Sequence, residues 1–164
     1  MRDGLKFFMT EIKCAEIGVC RGENAVNMLD SLPLARFFLV DNYDVKNSTF
    51  QWGKPFMPEE REDFISKVKE RLAPYEDRTE LLIMDSVEAS KTFADEYFDF
   101  VYIDAQHEYE AVLRDIKAWY PKVKRGGVIA GDDCGEPGVK QAVLEFFQRG
   151  VSYGIGMPDW IVSK

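Results

Sequence analysis

Short apolar segments rich in β-branched and aromatic residues recur along the chain, separated by stretches in which apolar residues return at helical spacing. That alternation predicts an α/β fold on a mostly parallel sheet. The first strand is expected at Cys14–Gly18, followed by a helix over residues 23–32 with Ala25, Val26, Leu29 and Leu32 on one face. A second strand, Phe37–Asp41, ends on an acid. From Tyr43 to Pro58 neither periodicity holds, and Phe50, Trp52 and Phe56 stand among polar residues, the pattern of a long loop and a functional lid. Pro58 and the acids after it open a helix whose face is Phe64, Ile65, Val68 and Leu72, and Pro74 marks its end.

The pattern continues with a third strand at Thr79–Met84 and a short helix at Ser86–Ala94. Phe98–Ile103 is a near-continuous apolar run, as expected of a central strand covered on both faces, and it stops at Asp104. Tyr109, Val112, Leu113, Ile116 and Trp119 mark the next helix, up to Pro121. Gly126-Gly127 reads as a turn before a fifth strand at Val128–Gly131, and Pro137–Arg149 as a helix with Gly150 just past its end. Val151–Ile155 and Trp160–Val162 are expected to pair as a hairpin at the sheet edge.

Composition narrows the class. A chain of 164 residues fits one domain spanning its whole length, with 46% apolar and 30% charged residues as in soluble globular proteins. No apolar run approaches the ~20 residues that cross a bilayer, and the N-terminus has no secretory pattern, so a cytoplasmic location without membrane partners is expected. Cys14, Cys20 and Cys134 lack paired metal spacing and read as reduced thiols. A net charge of −8 opposes a phosphate backbone, so no nucleic-acid partner is expected. The densest basic cluster, Lys122, Lys124 and Arg125, reads as a solvated turn.

Open parallel sheets bind ligands outside the carboxyl ends of their strands, where the chain reverses direction across the sheet. Here the first strand ends in Glu16-Ile-Gly18-Val19-Cys20-Arg-Gly22 before a helix. Two glycines let the backbone turn tightly and approach a ligand without Cβ interference. Their spacing is not that of the dinucleotide fingerprint, and a bare strand-helix turn stays open as an alternative. Asp41, 23 residues after Gly18, stands where an acid can accept from the hydroxyls of a ribose.

Taken together, Glu16-x-Gly18-x-x-x-Gly22, Asp41, Asp85-Ser86 and Phe98-Asp-Phe-Val-Tyr-Ile-Asp104-x-x-His107-x-Tyr109 resemble the class I S-adenosylmethionine-dependent methyltransferase superfamily. The stretch from Phe98 through Gly126-Gly127-Val128-Ile129-Ala130-Gly131-Asp132-Asp133 is most similar to its small-molecule and sugar O-methyltransferase branch, which includes the macrocin-type enzymes. The resemblance implies a Rossmann-like, doubly wound seven-stranded sheet with a C-terminal antiparallel hairpin. It also implies that Glu16, Gly18, Val19, Cys20 and Gly22 hold the methionine part of S-adenosylmethionine, Asp41 the ribose, and Asp85 with Ser86 the adenine. In metal-free relatives the resemblance places Asp104 near the cofactor's amino group.

A second constellation is Asp104, His107, Asp132 and Asp133. Carboxylates without thiols suit a hard cation such as Mg²⁺. Metal-dependent relatives use such a cluster, with a histidine three residues after the first Asp as general base, the position of His107. Adjacent strand residues point to opposite faces, so Asp132 and Asp133 share one ion only if the chain has already turned, and metal-free relatives keep the alternative open. The expected chemistry is methyl transfer to a hydroxyl of a small molecule or sugar, with Asp104 and His107 catalytic and Mg²⁺ assisting. A nicotinamide oxidoreductase would share the turn and ribose acid but lacks its third glycine and a Tyr-Lys pair. A cofactor-binding module without turnover is the remaining alternative. The resembling enzymes carry N-terminal helices over the acceptor, which points here to a homodimer partner completing that pocket.

Overall fold

A computed structural model describes residues 12–44, 49–50, 54–55, 58–154 and 158–164. Nine strands and five α-helices run in the order β1 (Ile12–Ile17), α1 (Glu23–Ser31), β2 (Leu34–Val40), β3 (Thr49–Phe50), β4 (Lys54–Pro55), α2 (Pro58–Leu72), β5 (Thr79–Leu82), α3 (Ser86–Lys91), β6 (Phe98–Ile103), α4 (Tyr109–Trp119), β7 (Val123–Gly131), α5 (Pro137–Phe147), β8 (Ser152–Tyr153) and β9 (Trp160–Ser163) among these residues. Seven strands form one sheet in the order β5-β2-β1-β6-β7-β9-β8, while β3 and β4 pair separately. Strands β5 to β7 in that order are parallel, β9 is antiparallel to β7, and β8 is antiparallel to β9. This is the Rossmann-like, mostly parallel sheet with a reversed terminal hairpin.

Alternation along the strands sorts side chains into two layers. Ala15, Ile17, Phe38 and Val40 pack with Val112, Ile116 and Trp119 of α4 and Val139 and Val143 of α5. Cys14, Phe37 and Leu39 face the other way, against Met28 and Leu29 of α1 and Phe64 and Val68 of α2. Each layer buries several large apolar side chains, each contributing about 1.5–3 kcal/mol of transfer free energy. The chain builds outward from β1 through β2 to β5, then returns to the far side of β1 as β6 and β7. That reversal opens a crevice at the carboxyl ends of β1 and β6.

Gly126-Gly127 departs from the expected turn, because both glycines lie inside β7. The register with β6 jumps from Phe98↔Val123 to Phe100↔Val128, so the pair forms a bulge within a continuing strand. Gly126 takes φ +77°, and a Cβ at Gly127 would press on the Asp99 carbonyl oxygen at 2.8 Å. Lys164 closes the bulge by exchanging backbone hydrogen bonds with Gly126 and Gly127 at 2.8 and 2.9 Å. Lys122, Lys124 and Arg125 are each paired with an acid, Asp95, Asp99 and Glu96 respectively. No helix among the described residues is long and apolar enough to cross a membrane.

Candidate active site

The β1–α1 turn is shaped by two left-handed glycines, Gly18 at φ +88° and Gly22 at φ +79°. Any Cβ at Gly18 would overlap the carbonyl oxygen of Asp104, so β1 and β6 approach each other there only because residue 18 has no side chain. At Gly22 the neighbour is the Val68 side chain, 2.9 Å from an added Cβ, which seats the turn on α2. Asp41 holds the turn from the next strand: its Oδ2 accepts the N–H groups of Val19 and Cys20, both at 2.9 Å. Its Oδ1 accepts from Tyr43 N at 2.8 Å. Three backbone donors thus occupy an acid expected to face a ribose, leaving about one of its four lone-pair directions.

A cavity of about 530 Å³ opens beside this turn and extends to Asp85, Ser86 and the first turns of α4. Among the described residues, the buried side-chain atoms on its wall without a hydrogen-bond partner include Glu16 Oε2, Tyr43 Oη and Asp115 Oδ1. Their residues are 1%, 4% and 2% exposed. An unpaired buried polar group costs about 1–3 kcal/mol, so three on one cavity mark a surface shaped for a polar ligand. Burial pushes the Glu16 carboxyl up to about 8, against the hydrogen bond that Asn24 donates to its Oε1 at 2.7 Å. Tyr43 sits at φ +48°, an uncommon conformation for a bulky residue and a sign that its placement is over-determined.

At the far end of the cavity Asp85 caps α3, its Oδ1 accepting from Val87 N at 2.9 Å and Glu88 N at 3.2 Å. Ser86 accepts from the indole of Trp119 at 2.9 Å, and the Asp115 carboxyl lies beside its hydroxyl. Arg114 lies 3.8 Å from Asp85 Oδ2 and 3.7 Å from Asp115 Oδ1, ion-pair distances too long for hydrogen bonds.

Between the two ends, ligand atoms of Asp104, His107 and Asp133 lie within 4.8 Å of one another. His107 Nε2 is 3.1 Å from Asp133 Oδ2 and 3.9 Å from Asp104 Oδ1. The Asp104 carboxylate, then that of Asp133, raises the imidazole above the ordinary histidine value, opposed by partial burial. Asp132, expected alongside these carboxylates, is not part of this group. The chain turns at Asp133, φ +56°, and Asp132 Oδ1 instead accepts the Asp133 N–H at 2.6 Å. Gly138 at the start of α5 packs on the His107 carbonyl, with no room for a Cβ.

Asn24, Tyr43, Arg114 and Asp115 are cavity residues that the sequence did not single out. Asp115 left a signal, since it falls in the apolar stripe of α4 between Val112 and Ile116. The expected lid residues Phe50, Trp52 and Phe56 have side chains outside the described residues.

The geometry agrees with what the chain is similar to. A family model described as a methyltransferase domain matches residues 15–134. Apo CalS11, a TDP-rhamnose 3'-O-methyltransferase of calicheamicin biosynthesis, superposes with a TM-score of 0.67 at 18% identity, over 94% of this chain and 72% of that one. A protein from Streptococcus mutans, described as a methyltransferase and solved in complex with SAH, gives 0.61 at 15% identity, over 92% and 86%. Spermidine synthase from Thermotoga maritima gives 0.59 at 17% identity, over 96% and 56%. No curated protein matches the sequence. With the family model covering most of the chain and the strand order placing a cavity at the β1–β6 crevice, the chain belongs to the methyltransferase-domain family, within the class I S-adenosylmethionine-dependent superfamily.

Proposed function

We propose that the protein binds S-adenosylmethionine in the 530 Å³ cavity and transfers its methyl group to a hydroxyl of a small molecule or sugar. The observation that carries this reading is the set of buried, unpartnered Glu16, Tyr43 and Asp115 atoms on one cavity wall, beside a glycine turn of the matching family. The Glu16 end, with Gly18, Val19, Cys20 and Gly22, suits an amino-acid moiety: a buried carboxyl meets an ammonium there. Asp41 faces the ribose with its remaining acceptor capacity, and the Asp85-Ser86 end takes the base. The cofactor supplies an activated methyl group on a good leaving group. The chain's own work is to align the acceptor oxygen, exclude water and take up a proton.

His107 is the group placed to accept that proton, next to Asp104 and Asp133, whose charges stabilise the resulting imidazolium. Asp104 and Asp133 present two carboxylates without thiols, a donor set that fits Mg²⁺ completed by waters and acceptor oxygens. Such an ion would lower the pKa of a hydroxyl bound to it. The likeness to CalS11, a TDP-rhamnose 3'-O-methyltransferase, supports that acceptor class here.

The test is thermal stabilisation by millimolar S-adenosylmethionine, followed by a screen of nucleotide sugars and small hydroxylated acceptors for production of S-adenosylhomocysteine. His107→Ala is expected to lower turnover about 10²–10⁴-fold while stabilisation persists. Absence of stabilisation would defeat the cofactor assignment, full turnover in chelator the metal, and binding without turnover would favour a non-catalytic module.

A further inference from the structure

We propose that Asp115 is the residue that reads the exocyclic amine of the adenine, so that the base is selected from α4 and not from the acid that ends the β5 segment. The inference rests on the cofactor reading above and adds to it a specificity-determining residue. Two acids stand at this end of the cavity, Asp85 and Asp115. Asp85 spends one oxygen on two backbone N–H groups of α3, and its side chain is 39% exposed, so water can satisfy the other. Asp115 is almost wholly buried, one of its oxygens has no hydrogen-bond partner, and the hydroxyl beside it belongs to Ser86, whose acceptor side is taken by Trp119.

A buried acceptor without a donor discriminates more sharply than a solvated one. The correct ligand relieves the unpaired group, and an analogue lacking the donor leaves it unpaired. Arg114, 3.7 Å from the same oxygen, balances the charge without making the hydrogen bond. What that oxygen still lacks is a hydrogen-bond donor, and at this end of the bound cofactor the 6-amino group of adenine would supply one.

The experiment compares two probes by calorimetry, S-adenosylhomocysteine and its analogue with hydrogen in place of the 6-amino group. The unaltered protein is expected to prefer the amine at least about tenfold. Asp115→Leu, which keeps bulk but removes the acceptor, is expected to bring the ratio to within about threefold of unity. Asp115→Asn, whose amide oxygen still accepts, should restore the preference, and Asp85→Asn should leave it in place. A merely structural role for Asp115 would weaken both probes alike and leave their ratio unchanged. The proposal is overturned if Asp115→Leu keeps the original ratio, or if Asp85→Asn alone abolishes it. Failure of the unaltered protein to bind either probe would instead defeat the cofactor assignment itself.

Discussion

Glu16 shows how one residue can set the pH response of both fold and site. Its carboxyl is raised to about 8 by burial, whereas the unfolded chain leaves it near the ordinary value of ~4.3. A folded-state pKa above the unfolded one means the protonated form is favoured by folding. That stability is fully present below the unfolded pKa and is lost as pH rises through about 8. Glu16→Gln keeps an oxygen for Asn24 and carries no charge, so it is expected to stabilise the protein above pH 8 by an amount on the order of a few kcal/mol, and hardly at pH 4. Denaturant titrations at the two pH values check this, and an equal effect at both would remove Glu16 as the cause. Ligand affinity should move oppositely: an ammonium beside Glu16 favours the carboxylate, so binding releases a proton and tightens as pH rises toward 8. Calorimetry in buffers of different ionisation enthalpy measures that proton.

At the scale of elements, Gly18 is where sequence and structure speak most directly to each other. The spacing Glu16-x-Gly18-x-x-x-Gly22 was legible as a turn at the end of a strand, and the reason appears in three dimensions as contact with the Asp104 backbone. Gly18→Ala would both strain a φ of +88° and wedge β1 from β6. It is expected to cost ~2 kcal/mol or more and to abolish S-adenosylhomocysteine binding, measurable by chemical denaturation and calorimetry. Asp85→Ala, by contrast, removes the cap of α3 without forcing the strands apart and should cost about 1 kcal/mol of stability. The strands and helices were readable because buried strands and amphipathic helices imprint different periods, as Phe98–Ile103 and Val112, Ile116 and Trp119 show. Gly126-Gly127 misled because a glycine pair signals a break in local conformation but not whether the strand resumes in the same sheet. That Asp133 and not Asp132 stands beside Asp104 and His107 depends on the left-handed turn at Asp133, a backbone property that no residue spacing encodes. Asp115 escaped notice because a single acid in an apolar stripe acquires meaning only once Ser86 is known to lie across from it.

For the whole molecule, the cavity's position matters more than its size. Glu16 turns toward α1, where Asn24 holds it, and Tyr43 packs in the layer of α1 and α2. Asp115 reaches the same cavity from α4, whose apolar residues belong to the opposite layer. A ligand satisfying both ends therefore ties together the two layers that pack on opposite faces of the sheet. At 100 times its dissociation constant, S-adenosylhomocysteine contributes about 2.7 kcal/mol of stability, which for a chain of this size is roughly 5–10 °C in Tm. Mass action alone gives that figure wherever the ligand sits. Its placement is read by amide hydrogen exchange, because bridging should slow local opening both at the N-terminal turn of α1 and in the α3–α4 region. Protection confined to the α1 side, with the full shift in Tm, would mean that the ligand stops short of Ser86 and Asp115 and that only the glycine-turn end of the cavity is used.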